Sequence, residues 1–202
     1  MNEPLIFSIK RHGTILPAYK RYNDAGIDLR CAKHFFCKPG RNKVPNGICF
    51  RMIHDTEGSV RPRSGHNNEG IPGVTLDTFY KKCGENLTVW AANAASHFGE
   101  SNDMTFYDML EKFIEAHNDV TFSEDELQRF DADVLYGTID ENYTGEVNTS
   151  IKSHEKNVFI IPRNVRISQM VISPVVHARL IEGEVKENAE RGDKGFNSSG
   201  VM

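Results

Sequence analysis

The chain has 202 residues, 39% hydrophobic and 26% charged, with a formal net charge of −4. This is the composition of a folded globular protein, long enough to bury a core without disulfides or structural metals. It holds no apolar run near the roughly 18 residues of a membrane span. Its mildly acidic balance argues against non-specific nucleic-acid binding, which needs a basic surface.

Met1 to Arg11 carries no long apolar stretch, so no secretory signal is expected. Residues 1–76 read as short strands broken by turn formers. Leu5–Ile9 and Gly47–Ile53 are the strand candidates, and Asn23-Asp24, Lys38-Pro39-Gly40 and Val44-Pro45-Asn46-Gly47 are the turns. The segment 77–132 changes character. Phe106, Met109, Leu110, Phe113 and Ile114 recur at helical spacing and predict an amphipathic helix with Ser101 to Asp103 available as a cap. Ser123-Glu124-Asp125-Glu126 matches a capping box before a short helix, and Leu87 to Phe98 predicts a third helix. The aromatics Phe79, Tyr80, Trp90 and Phe98 are expected to be exposed on this segment. From residue 133 the strand pattern returns, with Val158–Ile161 and Val165–Val176 the clearest runs. The organisation is a mainly β core from 1–76 and 133–190, a helical insertion at 77–132 and a C-terminal arm at 191–202.

The four cysteines, Cys31, Cys37, Cys49 and Cys83, form no CxxC pair, so free thiols in a reducing cytoplasm are expected. The eight histidines show no HExxH or paired spacing of a metal site. Three other segments carry chemistry. Arg191 to Gly200 combines glycines, serines, two cations and Phe196, which suits a phosphate and a stacked base. Arg61-Pro62-Arg63-Ser64-Gly65 offers two guanidiniums and a hydroxyl to an oxyanion, or is a solvated surface turn. Gly137 to Val147 looks like a β-hairpin holding Asp140 and Tyr143 near its turn. Asp140 is either a turn former or a carboxylate placed to activate water.

Taken in order, these segments resemble the signature motifs of the trimeric dUTPase family. The motifs are Ala25-Gly26-Ile27-Asp28-Leu29, Arg61-Pro62-Arg63-Ser64-Gly65, Gly137 to Val147, Arg166-Ile167-Ser168-Gln169-Met170-Val171-Ile172, and Arg191 to Gly200. The resemblance implies a dUTPase-like jelly-roll or β-barrel and a homotrimer with active sites shared between subunits. It implies hydrolysis of dUTP to dUMP and pyrophosphate by Mg²⁺-assisted attack of water on the α-phosphorus, limiting uracil in DNA and supplying dUMP for thymidylate synthesis. By the same resemblance Asp140 is the general base. Backbone groups of Gly137, Ile139 and Asp140 read uracil, and Tyr143 lies under the deoxyribose. Arg63, Ser64, Gly65 and Gln169 hold phosphates, and Asp28 helps hold Mg²⁺ through a water. Arg191, Phe196, Ser198 and Ser199 close over the nucleotide. Arg166 is a phosphate contact or a structural ion pair.

The sequence departs from the family where His66-Asn67 follows Arg-Ser-Gly, where Lys194 and Asn197 stand in the tail, and where Val134 and Leu135 precede the third motif. The insertion between motifs two and three is a packed decoration or a docking surface for another protein. It holds 4 Lys+Arg against 12 Asp+Glu, leaving 20 and 16 for the rest of the chain. An acidic insert therefore sits on a basic core, and a basic core suits a polyanionic nucleotide. The alternatives to dUTP hydrolysis are a regulatory protein acting through the insert and a dCTP deaminase. No direct nucleic-acid or membrane contact is expected. The location is expected to be cytoplasmic, a host's cytoplasm if the source is viral.

Overall fold

The computed structural model describes residues 8–11, 13–98 and 105–184. In chain order the N-terminal strands are β1 (Ser8–Arg11), β2 (Ile27–Arg30), β3 (Phe35–Cys37), β4 (Gly40–Arg51) and β5 (Thr56–Arg61). A short helix α1 (Ser64–Glu69) and strand β6 (Ile71–Gly73) follow. Helices α2 (Leu76–Cys83), α3 (Leu87–Phe98) and α4 (Phe106–Ala116) come next, then a 3₁₀ turn at Glu124–Glu126. The remaining strands are β7 (Gln128–Phe130), β8 (Ala132–Val134), β9 (Gly137–Ile139), β10 (Glu146–Ser153), β11 (Phe159–Ile161) and β12 (Arg166–Pro174).

Among the described residues the strands form separate sheets rather than one closed barrel: β1-β4-β10-β8, β2-β12-β5-β9, and the pairs β11-β3 and β6-β7. Alternation explains the sheet faces. In β10, Val147, Thr149, Ile151 and Ser153 point inward while their neighbours face out. One apolar cluster lies between the sheets and includes Cys31, Val44, Ile151, Phe159, Ile161 and Ile167. Phe130 stacks on Phe159 at its edge, ring centroids 4.2 Å apart. A second cluster, with Leu29, Ile48, Phe50, Val60, Val147 and Met170, fills the space under β4 and β12. Between them a buried polar chain ties the sheets together. Thr149 Oγ1 lies 2.6 Å from Ser168 Oγ and donates to Asn46 Oδ1 at 3.1 Å, and Asn46 Nδ2 donates to the Arg30 carbonyl at 3.0 Å.

The helices share a third core with the strands. Phe79, Leu87, Leu110, Phe113 and Ile114 pack on Phe36, Val74 and Ile160. The predicted face of α4 is present: Leu110, Phe113 and Ile114 are buried. Phe106, at its start, is exposed. The cap is Thr105, which accepts from the Asp108 N–H at 3.2 Å while the Asp108 carboxylate accepts from the Thr105 N–H at 2.9 Å. The expected cap residues Ser101 to Asp103 lie outside the described residues. The capping box at Ser123 is formed, with Glu126 accepting from the Ser123 N–H at 2.8 Å, but it opens a single 3₁₀ turn.

Three readings of the sequence need correction. The aromatics of the insert are not all on its surface: Phe79 is fully buried, and Tyr80 and Trp90 pack edge-on against Phe113 at 5.3 and 5.6 Å. The Phe98 side chain lies outside the described set. Val44 to Gly47 is not a turn between strands but the middle of β4. Gly47 takes a φ of +67° there, and the register against β10 shifts between Glu146 and Asn148, so the turn-forming residues make a bulge. Finally, the helices end at Ala116 and β7 pairs with β6, so the last residues of 77–132 belong to a sheet.

Candidate active site

Strand register and the turn after β5 bring five of the predicted site residues together: Asp28, Arg63, Ser64, Gly65 and Gln169. Gln169 on β12 lies opposite Asp28 on β2 and opposite Arg61 on β5, so the central strand carries it between the other two motifs. Beyond Arg61 the chain turns into α1, which places Arg63, Ser64 and Gly65 at the same end of the sheet. These residues, with Gly26 and Lys20, line an open cavity of about 290 Å³. Arg63 Nε donates to Asp28 Oδ1 at 2.8 Å, and an Arg166 terminal nitrogen donates to Asp28 Oδ2 at 3.3 Å. Arg166 therefore pairs with Asp28 in this chain. Gln169 Nε2 donates to the Pro62 carbonyl at 2.9 Å, which locks the turn bearing Arg63 onto β12. Gly26 lets Gln169 approach closely: a Cβ there would lie 2.5 Å from Gln169 Oε1 and would displace that side chain. Lys20 has no motif spacing, and sequence reasoning missed it.

His66 is the buried residue of α1. It is 4% exposed, and its Nδ1 lies 3.0 Å from the Ile167 carbonyl. A carbonyl only accepts, so Nδ1 carries the proton. Burial, then the neighbouring Arg63 charge, lowers its pKa to about 4.

The segment 137–147 is not a hydrogen-bonded hairpin. β9 pairs with β5, whereas β10 pairs with β4 and β8, so the segment crosses from one sheet to the other. β9 is the last strand of its sheet and Gly137 and Thr138 are exposed, so one row of backbone donors and acceptors faces outward. Tyr143 folds over Gly145 and its hydroxyl donates to the Glu146 carbonyl at 2.8 Å; a Cβ on Gly145 would lie 2.7 Å from that hydroxyl oxygen. Asp140 is exposed and lines a second cavity, of about 480 Å³, with Glu57, Asn142 and His177. The next residue anchors the loop. Glu141 accepts from His54 Nδ1 at 2.8 Å and from the Asp55 N–H at 2.9 Å. Bonding to Glu141 raises the His54 pKa, and bonding to His54 lowers that of Glu141.

Asp140 does not meet the cavity of Asp28, Arg63 and Gln169, the cradle, within one chain. Ile139 lies opposite Gly58, so Asp140 sits beside Glu57, while Arg63 lies past the other end of β5. The six steps from Glu57 to Arg63 correspond to about 20 Å at strand rise. Arg191, Phe196, Ser198 and Ser199 lie outside the described residues.

A profile of the dUTPase family matches residues 123–200. A deoxyuridine 5'-triphosphate nucleotidohydrolase of Methylocella silvestris is 30% identical over 210 aligned positions, covering 100% of this chain and 95% of that protein. The chain belongs to the dUTPase family. A second relative of the same name, from Gloeothece citriformis, is 26% identical over 93% of this chain and 90% of its own. Among solved structures, the dUTPase of Staphylococcus bacteriophage 80alpha with bound dUpNHpp superposes with a TM-score of 0.60 at 18% identity, covering 97% of this chain and 99% of that one. A mutant dUTPase of phage phi11 of S. aureus, described with a structural Mg(II) ion, gives 0.55 at 13% identity, covering 91% and 99%. At these identities the structures report the fold: the sheets described above are those of the family's jelly roll. Asp28, Arg63 and Gln169 line one cavity within a single chain.

Proposed function

We propose that the chain hydrolyses dUTP to dUMP and pyrophosphate at sites shared between the subunits of a homotrimer. The observation that carries this is the separation of Asp140 from the cradle. A base about 20 Å from the phosphates is useless to its own chain. Supplied by a neighbour in a closed ring, it completes the site.

In this reading Arg63, Ser64, Gly65 and Gln169 hold the phosphate chain. The Asp140 carboxylate takes the proton of the water that attacks the α-phosphorus, and the electron pair of the broken P–O bond leaves with pyrophosphate. The outward row of β9, from Gly137 through Ile139, offers backbone donors and acceptors to the uracil edge. The Tyr143 ring lies under the sugar and disfavours a 2′-hydroxyl. Arg191, Phe196, Ser198 and Ser199 of the arm cover the nucleotide. Mg²⁺ fits the cradle at Asp28. Both oxygens of Asp28 accept from guanidiniums, so it would reach the ion through a bound water, using its remaining lone pairs. Bound to the phosphates, the ion would offset their negative charge. The four thiols are free, in keeping with a cytoplasmic setting, and among the described residues no helix is long and apolar enough to cross a membrane.

Pyrophosphate release from dUTP and ammonia release from dCTP, measured side by side with Mg²⁺, test this function. Release from dUTP alone supports it; ammonia from dCTP makes the chain a deaminase and overturns it. Regulation through the insert is a second reading, favoured by the exposed Phe106 and Tyr107 on its acidic surface. Substituting both by serine would abolish partner binding while leaving hydrolysis intact.

A further inference from the structure

A larger cavity, of about 590 Å³, adjoins the cradle and shares Arg63 with it. Five arginines line it: Arg30, Arg63, Arg129, Arg163 and Arg166. The inserted segment closes one side through Phe122, Glu124 and Leu127. Glu124 is the one carboxylate in that lining. Two more carboxylates bind these arginines from outside it, Asp28 on Arg63 and Arg166, and Glu69 on Arg129 at 3.0 Å. Five cations against three anions leave a net positive wall. The repulsion registers at Arg30, whose pKa is lowered by burial and then by the Arg166 charge.

Hydrogen bonding is incomplete in the same place. Arg30 donates to the Asn164 carbonyl at 2.6 Å, Arg163 to the Gly13 carbonyl at 2.6 Å, and Arg129 to the Gly70 carbonyl at 3.2 Å. Yet Nε2 of His66, Nε of Arg163 and Oδ1 of Asn164, all from lining residues, are buried with no partner. Such atoms are rare in a folded protein and call for a partner; Arg163 Nε is the donor among them, suited to an anion. Guanidiniums bind phosphate oxygens two at a time. With Nδ1–H committed to Ile167, His66 Nε2 presents a lone pair that accepts from a P–OH group.

We propose that this arginine-lined cavity is a second anion site, distinct from the substrate cradle, and that it takes a di- or triphosphate group, free or as the tail of a nucleotide. Its occupant draws on the arginines that hold Asp28, so binding there is linked to binding in the cradle.

The test is equilibrium uptake of labelled pyrophosphate, and in parallel of ATP, by the full chain with its cradle saturated by a non-hydrolysable dUTP analogue. One ligand per chain is expected beyond the analogue. Uptake of pyrophosphate alone marks a site for the free anion, and uptake of ATP marks a nucleotide site. Arg129→Gln with Arg163→Gln, neither residue being part of the cradle, is expected to weaken uptake at least tenfold. Because both changes remove structural bonds, to Gly70 and Glu69 and to Gly13, Glu124→Gln serves as a second variant. It deletes the one lining carboxylate and is expected to tighten uptake several-fold. Absence of uptake of both ligands by the saturated wild type, or no effect of either substitution, overturns the proposal.

Discussion

Asp28 ties Arg63 and Arg166 to one carboxylate. It is 14% exposed and neutralises two guanidiniums. Asp28→Asn removes the charge and leaves Arg63 and Arg166 facing each other. The expected cost is about 2 kcal/mol, below the 3–5 kcal/mol of a fully buried pair because the site is open to water on one side. Thermal melts will show the loss, and weaker binding of a dUTP analogue will accompany it. His66 gives a pH dependence whose sign is fixed by its depressed pKa. Unfolded, it titrates near 6.5; folded, at about 4. Between these values the unfolded chain binds the extra proton, so this contribution to stability is present above pH 6.5 and is lost as pH falls toward 4. A shift of that size is worth about 3 kcal/mol at its limit. His66→Gln should therefore narrow the fall in melting temperature between pH 7 and pH 4.5. An unchanged fall assigns the acid sensitivity to other groups.

At the scale of elements, the loop that presents Asp140 is held by one side-chain clamp. His54 and Glu141 attract each other above the lowered pKa of Glu141 and below the raised pKa of His54. The His54 contribution is complete below the unfolded histidine value and is lost as pH rises through its folded one. His54→Ala should lower turnover of dUTP with little change in melting temperature, since the pair is exposed; equal loss of both would mean that the clamp is structural. Phe113→Ala, in contrast, opens a void among Phe79, Tyr80 and Trp90. Its expected cost is about 3–5 kcal/mol in a denaturant melt. These two elements also show what could be read from sequence. The helical period of Leu110, Phe113 and Ile114 is local, and the structure keeps it. The pairing of β9 and β10 is not local. Two strands joined by a turn read as a hairpin, but each finds a better-matched partner elsewhere, β5 and β4, which no spacing along the chain reveals. The cradle was legible because its motifs are contiguous. The arginine cavity was not, since Arg30 ends β2, Arg129 is the middle of β7 and Arg163 lies in the turn after β11, and neither was Lys20.

At the scale of the whole molecule, the charge asymmetry between insert and core does not make the insert a separable body. Lys33 pairs with Glu115, and Lys38 with Glu111 at 2.7 Å. The insert also shares a core with Phe36, Val74 and Ile160. His34 is the pin: its ring lies 2.8 Å from the Val120 carbonyl through Nε2 and accepts the Arg163 N–H through Nδ1 at 3.0 Å. Excision of 77–132 would uncover that core, so surface substitutions probe the insert better than deletion. Assembly poses a sharper question, because it decides whether the two halves of the site belong to one chain or two. Asp140→Asn should bind dUTP but lose turnover by about 10²–10⁴-fold, the usual share of a general base. Arg63→Ala should fail through weakened phosphate binding. If sites are shared, co-refolding the two inactive chains in equal amounts yields some sites with Arg63 from one subunit and Asp140 from its neighbour. With random assortment in a closed ring, about a quarter of sites carry both. Pyrophosphate release should then return to about that fraction of wild type. If each chain held its own complete site, every site in the mixture would lack one group. Activity would then stay at the sum of the parents, and the shared-site reading would be wrong.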